Sequence, residues 1–191
     1  MNGRIRNLVV TLTICSFAML AGCTTTTSTL DVASVDTAAV FGSFDLVKNG
    51  EAVELGDGIF DNQVSVAISR QGTDEAFVGN VGSGGEFTWY LEPGEYHVSS
   101  FSFGNRGERF EPQVSLNFTV AGDADAVYIG AMKVYVTSFS GYHGTDARMG
   151  GPEIRNGCRW DCAARLEQLQ LDKERLMISI LHPPGRMVGN Y

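Results

Sequence analysis

Residues 86–103, EFTWYLEPGEYHVSSFSF, decide the fold class of this chain. They contain two apolar runs separated by Pro93 and Gly94. The apolar side chains of the first run occupy every second position: Phe87, Trp89 and Leu91. Because side chains that alternate with a period of two line one face of a β-strand, the pattern predicts two strands joined at Pro93-Gly94. In such a hairpin turn Pro93 fixes its own φ and Gly94 supplies a positive φ.

The second run changes phase partway along. Tyr96 and Val98 share one parity, whereas Phe101 and Phe103 have the opposite one. A one-residue bulge near Ser99-Ser100 would return all four side chains to one face. Alternatively, apolar neighbours cover both faces of this strand.

The same alternation recurs on both sides of this stretch. Residues 40–46, 63–69 and 114–120 each place apolar side chains on one parity, as half-buried antiparallel strands do. Asn49-Gly50 follows the first of them and is a strong hairpin signal. Residues 127–136 are apolar on both parities, which predicts a central strand. Together these segments predict a mainly β protein, with an antiparallel β-sandwich over residues 39–138.

The C-terminal part of the chain has a different pattern. Glycines are scattered through residues 139–157, which we expect to form a long loop. Residues 158–191 are expected to carry a cysteine pair and a short helix packed on the sandwich. The apolar residues that predict the helix lie at positions i, i+1, i+4 and i+5: Leu176, Met177, Ile180 and Leu181. Asp172 would cap this helix and Pro183-Pro184 would end it, while residues 165–171 fit either a helix start or a last strand.

The N-terminus has the layout of an export signal. Residues 1–22 combine a basic start, an apolar run and small residues, as in a secretory signal peptide. The alternative is an N-terminal membrane anchor that is retained. The run ends in Leu20-Ala21-Gly22-Cys23, which closely resembles the lipobox of bacterial lipoproteins. The resemblance implies cleavage before Cys23 and a diacylglyceryl group on that cysteine, usually with a further N-acyl chain such as palmitate.

The resemblance also implies a location. Cys23 is followed by Thr24 rather than by an aspartate, which in lipoproteins of Gram-negative bacteria favours the outer membrane, facing the periplasm. Residues 23–38 are rich in Thr and Ser and predict a flexible tether, although residues 30–35 could instead add an edge strand. No apolar run reaches 18 residues, so no helix is expected to span a membrane after processing.

The charge excludes one class of partner. The whole chain carries a net charge of −8, which becomes −10 without residues 1–22, because these hold Arg4 and Arg6 and no acid. A chain this acidic is poorly suited to a phosphate backbone, so nucleic acid is not an expected partner. A basic envelope protein is favoured instead.

The remaining cysteines are expected to pair. Once Cys15 is removed with the signal and Cys23 carries lipid, Cys158 and Cys162 are left, and an even pair in an oxidising compartment predicts a disulfide. Two free thiols, or half of a zinc site, are the alternatives. No metal is expected, because the three histidines lack ligand spacing.

Residues 87–98, FTWYLEPGEYHV, resemble the hairpin of PEGA-type and transthyretin-like (carboxypeptidase-regulatory-like) β-sandwich modules. Residues 118–130 resemble the closing strands of such modules in small bacterial lipoproteins, so the resemblance spans residues 86–136. It implies a transthyretin-like or immunoglobulin-like sandwich. These modules share no catalytic residues, so the resemblance implies no active site and no cofactor.

Candidate chemistry is sparse. His97 is interpreted as a solvated strand residue, and His182 as a cation-compatible residue at a helix C-terminus. We therefore expect a non-catalytic lipoprotein of the cell envelope with a structural or partner-binding role. One alternative is a glycan- or peptide-binding module whose aromatic face would draw on Trp89, Tyr90, Phe101 and Phe103, with Tyr90 the best candidate for exposure. A less favoured alternative is a small hydrolase that uses His143 in the 139–157 loop.

Overall fold

The computed structural model describes residues 28–29, 33–34, 36–56, 61–104, 109–141 and 144–184. The strands form two sheets, which we name sheet A and sheet B. Sheet A contains β1 (Ser28–Thr29), β4 (Gln63–Arg70), β5 (Ala76–Val81), β7 (Gly94–Gly104), β8 (Arg109–Phe110) and β9 (Gln113–Val120). Sheet B contains β2 (Ala38–Lys48), β3 (Glu51–Val53), β6 (Glu86–Leu91), β10 (Ala126–Gly141), β11 (Gly144–Met149), β12 (Glu153–Arg155) and β13 (Leu176–Ile178). The fold is a mainly β, sandwich-like arrangement, as predicted.

Strand β10 lies at the centre of sheet B, which confirms the prediction for residues 127–136. It pairs with β2 along one side, and with β13, β12 and β11 in turn along the other. Strands β6 and β3 pair with the far side of β2. Most pairs are antiparallel, but β2–β10, β10–β13 and β1–β5 are parallel, which the sequence did not predict.

The core lies between the sheets and is filled by the inward side chains of the alternating strands. Trp89, Val66 and Phe101 are fully buried. The ring of Trp89 stacks on Phe87 with centroids 4.2 Å apart, and its Nε1–H donates to the Asn80 carbonyl. Each such buried apolar side chain contributes roughly 1.5–3 kcal/mol. Period-two alternation therefore accounts for the packing of the two sheets.

The predicted bulge in the second run is present. The register between β7 and β9 shifts between Val98 and Ser100, and the β4–β7 register shifts at the same level. Tyr96, Val98, Phe101 and Phe103 all point into the core as a result.

The predicted hairpin at Asn49-Gly50 is also confirmed. Asn49 has φ 54° and Gly50 has φ 89°, the two positive values that a type I′ turn needs. The turn returns β3 antiparallel to β2, with Lys48 opposite Glu51.

The hairpin predicted at Pro93-Gly94 is wrong. β6 pairs with β2 in sheet B, whereas β7 pairs with β4 and β9 in sheet A, so Pro93 and Gly94 lie in a crossover between the two sheets. The φ of Gly94 is not positive either. Gly94 instead leaves room for Arg70: a Cβ at Gly94 would lie 2.9 Å from Arg70 Nε, and Arg70 Nη2 donates to the Pro93 carbonyl at 2.6 Å.

The C-terminal helix was predicted in the wrong place. The helix is α1 (Cys158–Leu169), and residues 176–178 form strand β13. Asp172 caps a 3-10 turn over Lys173–Arg175, where its Oδ1 accepts the Glu174 N–H at 2.9 Å. Residues 165–171 fitted either a helix start or a last strand, and the structure places residues 165–169 in α1.

Two further segments are more ordered than expected. Residues 139–157 were predicted to be a long loop, yet they contain the end of β10, all of β11 and all of β12. Residues 23–38 were predicted to be a free tether, yet Ser28–Thr29 pairs with β5 and Ala38 begins β2. In both cases the residues hydrogen-bond to the edge of a strand that is distant in the sequence or follows an unpredicted turn, which the local pattern does not reveal.

Residues 176–182, which we call the strap, connect the two sheets on one side of the sandwich. Ser179 and Leu181 donate their N–H groups to the Tyr128 and Ile129 carbonyls of sheet B. His182 then exchanges two backbone hydrogen bonds with Asn117 of sheet A, at 2.7 and 3.1 Å. No helix in the described part of the chain is long and apolar enough to span a membrane.

Candidate functional site

Helix α1 covers one half of the outer face of sheet B. Cys162 and Leu166 pack on Phe41, Ala126 and Tyr128 in a small cluster separate from the main core. The helix is also held at its side, because Arg165 Nη2 donates to Thr88 Oγ1 at 2.6 Å and Nη1 to Glu86 Oε2 at 3.1 Å. Cys158 and Cys162 form a disulfide within the first turns of α1, as predicted.

In the described part of the chain, the other half of this outer face carries no helix, and we call it the Tyr135 face. Its residues come from three neighbouring strands: Ser43, Asp45 and Val47 of β2, Ala131, Lys133 and Tyr135 of β10, and Glu153 and Arg155 of β12. The registers Asp45↔Lys133 and Val47↔Tyr135 place these side chains in adjacent rows. Tyr135 is 42 % exposed and is one of the few large apolar side chains so exposed among the described residues.

The Tyr135 ring is held in place by charged neighbours. Lys133 Nζ lies 5.6 Å from the ring centroid, within the range of a cation–π contact. The phenol donates to Glu153 Oε2 at 3.2 Å, and Arg155 Nε donates to Glu153 Oε1 at 2.9 Å. The hydrogen bonds from Arg155 and from the Tyr135 phenol lower the pKa of the Glu153 carboxyl, and the pKa of Arg155 is raised in turn. The face therefore presents an aromatic ring whose rotamer is fixed on an ionised network.

A groove of about 450 Å³ opens beside the Tyr135 face. It lies between β3 and the turn at residues 82–85, at the point where neither β3 nor β6 pairs with β2. The groove and the face share Asp45, Val47 and Lys133, and Glu54 adds a second carboxylate. Together they offer an aromatic surface, an aliphatic floor and, in the groove, two carboxylates beside one lysine. This combination suits a binding partner that carries apolar and basic side chains.

The outer face of sheet A is chemically different, and we call it the uncharged face. Its outward positions on β4, β5, β7 and β9 alternate with the core residues of those strands. They carry small or polar side chains: Gln63, Ser65, Ala67, Ser69, Ala76, Val78, Asn80, His97, Ser100, Ser102, Gln113, Ser115, Asn117 and Thr119. Glu95, at one end of β7, is the single charged residue among the described outward positions of these four strands. At the other end of β7, Arg109 of β8 pairs with Gly104, and Ser102 Oγ donates to Glu111 Oε1 at 3.3 Å.

His97 lies in strand β7, on the face opposite Tyr96, as predicted. His97 Nδ1 lies 2.8 Å from Asn117 Oδ1. His182 is opposite Asn117 on the other side and follows a strand, so the interpretation of His182 as a helix-end residue is wrong. His143 lies outside the described residues. In the described ranges there is no group of three or more His, Cys, Asp or Glu side chains able to hold a metal ion.

The aromatic sugar-binding face considered from the sequence does not form. Trp89, Phe101 and Phe103 are buried in the core, and Tyr90 is half-buried. Among the residues whose side chains are described, the exposed aromatic residue is Tyr135, which sequence reasoning missed. The signal was present, because Lys133 and Tyr135 share the polar-bearing parity of residues 127–136.

The predicted lipidation site, Cys23, and the predicted cleavage motif, Leu20-Ala21-Gly22, lie outside the described residues. Comparison with protein-family models, with curated proteins and with solved structures returns no match to this chain.

Proposed function

We propose that this chain is a lipid-anchored cell-envelope protein, a non-catalytic β-sandwich module that binds a partner protein through the Tyr135 face and the adjacent groove. The observation that carries the proposal is the Tyr135 ring, 42 % exposed and fixed by Lys133, Glu153 and Arg155. No cofactor belongs to this function.

Tyrosine and arginine are the residue types that most often dominate binding energy at protein interfaces. A side chain already fixed in its bound rotamer loses less conformational entropy on association. Tyr135 is a tyrosine, and its contacts with Lys133 and Glu153 restrict its rotamers in the free chain, which supports a role in recognition.

Charge supports a basic partner. The charged residues that line the groove beside the ring are two acids, Asp45 and Glu54, and one base, Lys133, and the processed chain is expected to carry a net charge of −10. Complementary charge raises the rate of encounter and disfavours acidic competitors.

The anchor is supported by the sequence. Leu20-Ala21-Gly22-Cys23 closes an apolar signal, and two or three acyl chains on Cys23 give stable membrane attachment where one chain does not. Thr24 at the next position favours the outer membrane, with the module facing the periplasm.

The first test is the intact mass of the detergent-extracted protein. A mass equal to residues 23–191 plus acyl chains supports the anchor, and a mass equal to the full 191 residues without lipid contradicts it. The second test places a photoreactive amino acid at Tyr135 in living cells, with the same residue at exposed Glu167 of α1 as the control. We expect one discrete adduct from position 135 and none from position 167.

Charge variants sharpen the second test. For this test the photoreactive amino acid is placed at Thr137, two residues after Tyr135 in β10. The double variant Asp45→Lys, Glu54→Lys should abolish the adduct from this position without changing the thermal unfolding midpoint. An adduct that survives both substitutions would contradict a charge-guided interface in the groove.

A second candidate function is glycan binding, favoured by the same exposed ring beside a groove large enough for a small sugar. Titration with soluble envelope glycans distinguishes the two. Saturable binding that Tyr135→Ala removes supports the glycan, and flat titrations exclude it.

A further inference from the structure

We propose that the uncharged face of sheet A lies against the lipid surface in which Cys23 is anchored, so that the Tyr135 face points away from the membrane. The inference rests on the proposed lipid anchor and adds the orientation of the domain and the surface that contacts the headgroups. Three separate observations support it.

The first is the short connection from the anchor to the fold. Ser28–Thr29 pairs in parallel with Phe77 and Val78 of β5. Only five residue steps separate Cys23 from Ser28, and an extended chain spans at most about 3.6 Å per residue. The edge of sheet A at β5 is therefore held within roughly 18 Å of the acylated cysteine. The 16-residue tether expected from the sequence would have allowed far more freedom.

The second is the distribution of charge. Bacterial envelope lipids carry phosphate groups, and an acidic protein surface is repelled by them over roughly the Debye length of 8–10 Å. The uncharged face adjoins the anchored edge, and Glu95 is the single charged residue among the described outward positions of β4, β5, β7 and β9. Arg109 and Glu111 lie at the opposite edge of sheet A, beyond β7. By contrast, the outer side of sheet B carries three acids, Asp45, Glu86 and Glu153, and three bases, Lys133, Arg155 and Arg165. Each of these six charged groups would lose water at a lipid surface. The uncharged face is the side that can approach phosphates at the lowest electrostatic cost.

The third is the apolar contact that the uncharged face offers. Val78 is 40 % exposed on this face and pairs with Thr29 of β1, next to the connection to Cys23. A valine at the headgroup boundary gains from partial removal of water. Ala67 and Ala76 lie in the same area of the face and leave it flat enough to approach a surface.

The geometry of the sandwich then determines the direction in which the outer face of sheet B points. Packed sheets lie about 10 Å apart, and their outer faces point in opposite directions. If sheet A faces the lipid, the Tyr135 face and its groove face away from the membrane. The anchored orientation therefore presents the proposed binding face to partners in the periplasm.

The test uses acylated full-length protein in vesicles of phosphatidylethanolamine and phosphatidylglycerol. Asn80→Cys on the uncharged face and Thr137→Cys on the Tyr135 face are each labelled with an environment-sensitive fluorophore, while the Cys158–Cys162 disulfide is kept oxidised. Lipids that carry a quencher at the headgroup should quench the label at position 80 at least twofold more than the label at position 137. Equal quenching, or stronger quenching at position 137, would overturn the orientation.

A matched variant tests the role of charge. Ala67→Glu with Ser69→Glu, in the Asn80→Cys background, should reduce quenching in vesicles that contain phosphatidylglycerol and leave it unchanged in purely zwitterionic vesicles. If the substitutions leave the quenching in both kinds of vesicle unchanged, the electrostatic part of the inference is contradicted.

Two other outcomes are distinguishable. A disulfide-linked dimer formed readily between two Asn80→Cys chains would mean that a second copy covers the uncharged face, which overturns the lipid contact. A protein whose mass shows no acyl chains removes the anchor itself, and with it both this inference and the proposed function. An acylated protein with equal quenching removes the orientation alone.

Discussion

At the scale of single residues, the most informative group is Tyr96, which is buried yet polar. It is 1 % exposed, and its phenol donates to the Glu92 carbonyl at 2.7 Å. Burial raises its pKa from 10.0 to about 12, partly opposed by the positive charge of Arg70. Because the folded pKa lies above the unfolded one, the stability contributed by the neutral phenol is complete below pH 10 and is lost as the pH rises towards 12.

Tyr96→Phe should therefore change the pH dependence of stability. The variant should lose about 1 kcal/mol at neutral pH, because one hydrogen bond disappears. Between pH 10 and 12 its free energy of unfolding should fall less steeply than that of the parent chain. Urea unfolding at several pH values measures both effects, with Tyr90→Phe as the control that keeps the parent slope. Parallel slopes in all three proteins would contradict the role of Tyr96.

Gly79 tests the packing around Trp89. A Cβ at this position would lie 2.4 Å from Trp89 Cε2, and the Trp89 ring is fixed by its stack on Phe87. Gly79→Ala should therefore destabilise the protein by about 1–3 kcal/mol, the usual cost of overpacking. Gly84→Ala is the control, since a Cβ added there would meet no atom within 4 Å and the change should stay within about 0.5 kcal/mol. Thermal unfolding of the pair decides the question, and equal midpoints would show that the ring can move aside.

At the scale of elements, the Cys158–Cys162 disulfide closes the first turns of helix α1. Cys158–Cys162 closes a loop of five residues, for which the chain-entropy model gives roughly 2 kcal/mol of stability. Reduction should lower the free energy of unfolding by about that amount. The double variant Cys158→Ala with Cys162→Ala should be insensitive to reductant. Urea unfolding midpoints with and without reductant measure this loss of stability. A parent midpoint that is the same with and without reductant would contradict the estimate.

The elements also show which sequence signals were sufficient. Asn49-Gly50 and the phase change after Val98 predicted a turn and a bulge correctly, because each depends on local backbone geometry alone. Pro93-Gly94 did not form a hairpin, since pairing across a turn also depends on which distant strand lies beside each partner. Parallel pairing of β2 with β10 is equally non-local and left no signal in the sequence.

The error in the C-terminal helix has a physical cause. Leu176 and Ile180 contact the small cluster under α1, whereas Met177 and Leu181 contact the main core. In an extended segment with two apolar faces, residues i and i+4 contact apolar neighbours on one side and residues i+1 and i+5 contact apolar neighbours on the other. The same spacing is typical of one face of a helix. The true helix had its own signal, since Cys158, Cys162 and Leu166 repeat every four residues. The Tyr135 face joins β2 to β10 and β12, which come much later in the chain, so its assembly could not be predicted from spacing.

At the scale of the whole molecule, the two sides of the sandwich have different chemistry. One outer face is nearly free of charge and adjoins the short connection to Cys23, while the other carries α1, the groove and the charged network around Tyr135. A single fold thereby separates the surface proposed to face lipid from the surface proposed to bind a partner. The strap connects the two sheets that bear these faces.

The strap should therefore control the stability of the whole molecule rather than of one sheet. Leu181 is 3 % exposed in the main core, between the backbone contacts to Ile129 and Asn117. Leu181→Ala should cost about 2–5 kcal/mol, the range for a buried leucine, and both sheets should lose hydrogen-exchange protection together. Ile178→Ala is the matched control, because Ile178 is 48 % exposed in the same segment and should change stability little. If only the amides of β9 lost protection in Leu181→Ala, the strap would be a local cover of sheet A, and the two faces would be independent units.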